Sequence, residues 1–204
     1  LCEKIKEIDA NLKDFTGSKP FRGILTGYNK AFLIDDEIKN RLIASDSKCS
    51  EIIKPYLRGK DVARWHSDWN NLWMIFVPWD CPINQYPSVL HWLETHREGL
   101  EKRPEVRQGR FPWYAMSRYG SDYWHLLEQP KLLIQGIAFH PRFSLDEAGM
   151  FTNNSVFFLP STDKWALAAL NSPVMWYFAF RYLPHKKDEA LAMDGILTET
   201  LPIA

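Results

Sequence analysis

The sequence predicts an α+β domain of mixed helices and strands, with a mainly antiparallel sheet and a C-terminal pair of helices. Three observations carry this. Short apolar runs bounded by turn residues mix with segments of helical spacing, without the regular strand-helix alternation of a doubly wound sheet. A chain of 204 residues, 46% of them hydrophobic, is long enough to bury a core in one domain or a domain plus subdomain. Ser172 followed by Pro173 is an N-cap and first-turn pair separating two helical segments near the end.

In order along the chain, Ile5, Ile8, Leu12 and Phe15 fall on one helical face and predict an amphipathic helix over residues 2 to 15. Phe21 to Ile34 reads as strand, tight turn and strand around Thr26, Gly27, Tyr28 and Asn29. Asp35 or Asp36 caps a short helix, and another runs from Ser47 to before Pro55. Leu72 to Val77 is a buried strand, and Ser88 to Arg103 a helix. Residues 104 to 122, with Pro104, Gly109, Pro112, Gly120 and several arginines and aromatics, have no period and predict a long loop of the kind that carries function. Lys131 to Phe139 and Val156 to Leu159 are strands, with short strand segments expected at Phe143 and Phe151. Ser161 or Thr162 caps a helix to Leu170, and the last helix runs to Leu183. The chain starts at Leu1 without Met and is read as a piece of a longer protein. Residues 1 to 19 are expected to be a helix and linker from an upstream domain, and 20 to 204 the domain itself.

The composition excludes several classes. With 25% charged and 14% aromatic residues the chain is neither disordered nor fibrous. Cys2, Cys49 and Cys81 are dispersed and odd in number, so a reducing, cytoplasmic setting is expected and no zinc motif is suggested. No apolar run reaches membrane-spanning length. Phosphate-binding loop, dinucleotide fingerprint, nucleophile elbow and paired-His zinc helix are all missing, so no catalytic residue and no metal ligand is nominated. His91 and His96 are five apart and point to different sides of a helix. Nine Trp raise a second reading, an aromatic-lined carbohydrate or small-ligand module, although Trp73, Trp92, Trp165 and Trp176 sit in periodic core segments.

Equal numbers of basic and acidic residues, 25 each, argue on average against nucleic acid. Resolved along the chain, the charge separates. Residues 21 to 33 carry Arg22 and Lys30, residues 52 to 64 carry Lys54, Arg58, Lys60 and Arg64 against Asp61, and residues 102 to 118 carry Lys102, Arg103, Arg107, Arg110 and Arg118 against Glu105. These blocks are net basic and the remainder net acidic. Arg and aromatics together in non-periodic segments are the local footprint of a phosphate-binding surface, and solvated faces are the alternative.

Two motifs then combine. Gly23, Ile24, Thr26, Gly27, Asn29, Ala31 and Phe32, followed by Ile53 to Asp61 with Lys54, Pro55, Arg58, Gly59 and Lys60, resemble the TaqI-like C-terminal specificity domain of restriction-modification enzymes. Tyr86 and Pro87, Arg103, Pro130 and Lys131, and Leu170 to Ser172 follow in the family's order, and the resemblance spans about residues 20 to 203. It implies a target recognition domain that binds double-stranded DNA beside an upstream adenine-N6 methyltransferase domain of the same chain, which would hold S-adenosylmethionine. The fragment itself would hold no cofactor and catalyse nothing, and the parent could also carry an endonuclease.

Under that resemblance the DNA-binding candidates are Arg22, Thr26, Asn29, Lys30, Lys54, Arg58, Lys60, Arg64, Arg103, Arg107, Arg110, Trp113, Tyr114 and Arg118. Lys54, Arg58, Lys60 and Arg64 suit phosphates. The loop from Arg103 to Arg118 suits base reading, because a guanidinium offers paired donors to guanine. Gly23 and Gly27 either bring backbone N–H groups to a phosphate or permit a positive φ. Thr26 and Asn29 either bond DNA or satisfy their own turn. Asp61 is expected to hold Arg58 or cap the following turn rather than meet DNA.

Overall fold

A computed structural model describes residues 2–8, 10–193 and 195–203. The chain divides into two compact units: Leu1–Gly23, Leu57–Asp68 and His125–Ala204 form the first, and Ile24–Tyr56 with Trp69–Trp124 the second. Helices and mainly antiparallel strands make the fold α+β, as the sequence predicts. No helix of the described residues is long and apolar enough to cross a membrane.

In the first unit, Phe21–Arg22, Val156–Leu159, Lys131–Gln135 and Phe143–Asp146 lie side by side in that order, each pair antiparallel. The central strand has Leu132, Leu133 and Ile134 all fully buried, which is why its sequence is a continuous apolar run rather than an alternating one. The helices Lys164–Leu170 and Pro173–Tyr182 supply Leu167, Leu170, Met175 and Phe178 to the core with Leu132, Ile134 and Leu159. Ser172 caps the second helix by accepting from Met175 N at 3.0 Å. The first is capped by Asp163, not by Ser161 or Thr162: its carboxylate accepts from Ala166 N at 2.7 Å, and a carboxylate suits a helix N-terminus better than a hydroxyl does. Residues 1 to 19, expected to belong with an upstream domain, contribute Ile5 and Leu12 to this core. Their single expected helix is two, Cys2–Lys6 and Leu12–Thr16, because Asn11 accepts from Asp14 N and starts a new helix.

Two buried polar residues tie this unit together. Lys131 Nζ donates to Asp146 Oδ2 at 2.5 Å and to Leu127 O at 2.6 Å, with both side chains almost wholly out of water. Burial pushes the Lys131 amine below its ordinary pKa, and Asp146 opposes that shift. Asn171, fully buried after the first helix, donates to Phe143 O and Leu167 O and accepts from Phe143 N, fastening the helix pair to the edge strand.

In the second unit, Leu33–Ile34, Trp73–Ile75 and Ile53–Leu57 pair antiparallel in that order. The helix expected from Ser47 to before Pro55 is a 3-10 turn, Ser47–Glu51, and Pro55 stands inside the strand Ile53–Leu57; proline is tolerated where the ladder does not need its N–H. Of the two expected caps, Asp35 starts the helix Asp36–Ser45 by accepting from Ile38 N. The expected strand at Ala31 to Ile34 begins instead as one helical turn, Asn29–Phe32. The expected helix from 88 to 103 breaks into Pro87–Glu94 and Arg97–Glu101, where Thr95 Oγ1 turns back to Trp92 O at 2.7 Å. Ile24, Phe32, Met74, Ile75, Val89, Leu93, Leu100 and Met116 are buried here, and Trp92 donates its indole N–H to Ala31 O.

Replacing Lys131 by Met leaves Asp146 buried without its cation and lowers the unfolding free energy by about 3–5 kcal/mol. Urea denaturation reads this directly, and a loss below about 1 kcal/mol would deny the pair its structural role.

Candidate nucleic-acid interface

The second unit builds its candidate site around the first motif. Gly27 has φ +78, a conformation glycine adopts at little cost. A Cβ there would overlap Ser117 Oγ and stand 3.1 Å from Arg103 Cδ, so the position is closed on steric grounds as well. Leu25 and Arg118 exchange both backbone hydrogen bonds, at 2.8 and 2.9 Å, and Ser117 N donates to Thr26 O. The turn is thereby fastened to the far end of the 104 to 122 loop.

Arg103 lies under that junction, only 5% exposed. Nε donates to Leu100 O at 2.9 Å, one terminal nitrogen to Ala115 O at 2.8 Å and Thr26 O at 3.2 Å, and the other to Trp113 O. Its guanidinium carbon stands 5.3 Å from the Phe111 ring centre and 5.9 Å from that of Phe32. Burial lowers its pKa to about 10, and the charge of Glu105 opposes the shift; the group is still cationic at neutral pH. One side chain therefore holds the loop's beginning, its end and the Thr26 turn. This corrects the expectation for Arg103, which does not present its guanidinium at the surface. It also corrects that for Thr26, 3% exposed, whose hydroxyl donates to Asn29 Oδ1 at 2.5 Å.

Between the clamped ends the chain makes one helical turn, Pro104–Arg107, and reverses at Gly109, φ +69. Phe111 is buried against Trp79 with rings 5.3 Å apart and nearly parallel, and Trp79 donates to Met116 O. The tip exposes Arg107, Gln108 and Arg110. Trp113 and Tyr114 are half-buried: Arg97 lies 4.7 Å over the Trp113 ring, and Tyr114 meets it edge-on. Arg118, Asn29 and Lys30 are exposed, and Lys54 is half-buried in its strand.

The first unit holds the remaining candidates. Arg58 binds Asp61 through two side-chain hydrogen bonds, Nε to Oδ2 at 2.8 Å and a terminal nitrogen to Oδ1 at 2.9 Å, while Asp61 also takes the Arg58 backbone N–H. Burial raises the Asp61 pKa, but these bonds and the Arg58 charge outweigh it and hold the carboxyl below its ordinary value. Asp61 thus both holds Arg58 and caps the turn. Lys60 is exposed; Arg64 donates to Asn171 O beside an open groove lined by Trp176, Tyr177 and Phe180. Arg22 donates Nε to Asn154 O at 2.9 Å. Asn153 and Ser155, against which Gly23, Gly59 and Gly136 pack, and Asn154 between them are not among the residues that the sequence nominates. Their signal was a polar Asn-Asn-Ser turn between two short apolar strands.

No cluster of His, Cys, Asp or Glu among the described residues could hold a metal. The chain belongs to the family of TaqI-like C-terminal specificity domains, whose family model matches residues 54–203. The Gly23 to Phe32 motif lies before that span. The chain is similar to the type II methyltransferase M.BanIII of Aneurinibacillus aneurinilyticus, 34% identical over 78 residues that make up 38% of this chain and 13% of the relative. Its fold resembles the structure of the type IIL restriction-modification enzyme MmeI in complex with DNA, with a TM-score of 0.62 and 14% identity, over 90% of this chain and 24% of that one. The chain thus spans a small part of the length of either relative.

Arg103→Lys keeps a cation but loses the planar fork that serves four carbonyls, and costs about 1–3 kcal/mol. Trypsin should cleave after Arg107 and Arg110 faster in this variant than in the wild type, and equal rates would show that the loop does not depend on the clamp.

Proposed function

We propose that this chain is the DNA-reading domain of a restriction-modification protein, holding duplex DNA for adenine-N6 methylation by a domain outside these 204 residues. The observation that carries the reading is the braced loop: Arg107 and Arg110 stand exposed on a tip whose two ends are locked by Arg103, in a chain of the specificity-domain family. Preorganisation matters because a base-reading arginine must keep both donors aligned to guanine O6 and N7 while its neighbours stack and unstack.

Exposed Arg22, Lys30, Lys60 and Arg118 act as phosphate holders, which position DNA without reading it. Methylation of an adenine requires the base to leave the stack, and a second wall that grips the flanking duplex makes that extrusion productive. S-adenosylmethionine belongs to the other domain. When bound, that group supplies the methyl; the residues here only grip and read.

If four to six phosphates are neutralised, the binding constant falls with about the fourth to fifth power of salt concentration. Fluorescence anisotropy of a labelled duplex across a salt series measures the slope. Binding that is absent at low salt, or indifferent to salt, removes the reading. Arg107→Ala and Arg110→Ala change which sequence is preferred, at about 1–3 kcal/mol per reading contact, whereas Lys30→Ala weakens all sequences alike.

A further inference from the structure

The turn between Phe151–Thr152 and Val156–Leu159 is closely seated in the first unit. A Cβ on Gly23 would overlap Asn153 O, one on Gly59 would stand 2.6 Å from Ser155 Oγ, and one on Gly136 would stand 2.7 Å from Ser155 O. None of the three glycines has a positive φ. What glycine supplies at Gly23 and Gly136 is therefore close approach to fixed backbone, not conformational freedom, while at Gly59 the near atom is the Ser155 hydroxyl. Three sequence-distant segments have given up their side chains to seat one short polar turn.

Hydrogen bonds complete the seat. Gly23 N donates to Val156 O at 2.9 Å, Gly136 N to Ser155 O at 2.8 Å, and Val156 N to Asn153 O at 3.0 Å. Ser155 Oγ donates to Asn153 Oδ1 at 2.7 Å, which commits the Asn153 amide oxygen inside the turn. Arg22 Nε donates to Asn154 O, and its guanidinium lies 5.7 Å over the Phe157 ring. Gly59 places its neighbours Arg58 and Lys60 beside the same turn, and of these Lys60 is exposed. The Asn154 side chain, half-buried on this seated turn, has exposed cations in two other segments, Arg22 bonded to its carbonyl and Lys60 next to Gly59, an arrangement suited to reading a base edge between held phosphates. A carboxamide offers a donor and an acceptor side by side, which matches N7 and the N6 amino group of adenine in the major groove.

We propose that residues 153 to 155 form a second DNA-contacting ridge, in which Asn154 reads a base edge and Arg22 and Lys60 hold the flanking phosphates. The proposal rests on the reading of the chain as a duplex-DNA recognition domain and adds to it a specificity-determining residue in the first unit.

The test is selection from a duplex pool randomised over its central base pairs, with wild type, Asn154→Ala, Asn154→Ser and Lys60→Gln, each checked for unchanged thermal unfolding. Both Asn154 variants lose about tenfold or more in discrimination at one base-pair position with the salt slope unchanged. Lys60→Gln leaves the preferred sequence unchanged and lowers the salt slope by about one. Should wild type select a sequence and both Asn154 variants select it equally well, the ridge is overturned and the recognition reading stands. Should wild type select no sequence at all, both are overturned.

Discussion

A buried guanidinium held by four backbone carbonyls organises the second unit. Taking a cation out of water is costly, and here the compensation comes from four backbone carbonyls and two aromatic rings. Those carbonyls come from the end of a helix, the Thr26 turn, and two points at the far end of the loop. The planar fork of Arg103 fixes their relative positions, which a point-charged ammonium on a flexible stem would not do. Because a pKa of about 10 leaves the group charged at neutral pH, the clamp stays closed under ordinary conditions.

The first unit solves a related problem differently. Its buried cation, Lys131, faces a carboxylate, and Asp146 is itself held by the backbone N–H groups of Ala148 and Met150. That pair locks the start of a central strand to its neighbour, while Asn171 locks the helix pair to the same neighbour. The result is a firm platform on which Gly23, Gly59 and Gly136 can seat a polar turn. Each unit carries as many acidic as basic side chains. On the proposed reading, phosphates are therefore held by exposed cations in particular segments, not by an excess of charge in either unit.

Much of the fold was legible because its signals are local. Asp35 and Ser172 cap the helices they were expected to cap, and the Leu132 to Ile134 run forms the buried strand. The 104 to 122 segment is irregular apart from one short helical turn, Pro104–Arg107, and the bridge from Arg118 to Leu25. Local competition explains several departures: the Asn11 cap interrupts an otherwise continuous helical period, and Thr95 turns back onto Trp92. The site was less legible, since its decisive partners are remote in sequence. Arg103 meets Thr26 across 77 residues, and an arginine destined for such a clamp reads the same as one destined for solvent. Gly23 looks like a turn residue in sequence, and only the neighbouring chain at Asn153 reveals that it is a close-approach residue.

On the proposed reading, sequence recognition depends on Arg103, a buried residue that braces the reading loop from within. The sequence preference of Arg103→Lys, obtained by selection from a randomised duplex pool and set beside its salt slope, tests it most directly. A broadened preference with an unchanged slope is the predicted result, since the loop tip loses its alignment while the phosphate holders stay in place. A preference as sharp as that of the wild type, in a variant whose loop is demonstrably loosened, would contradict the account.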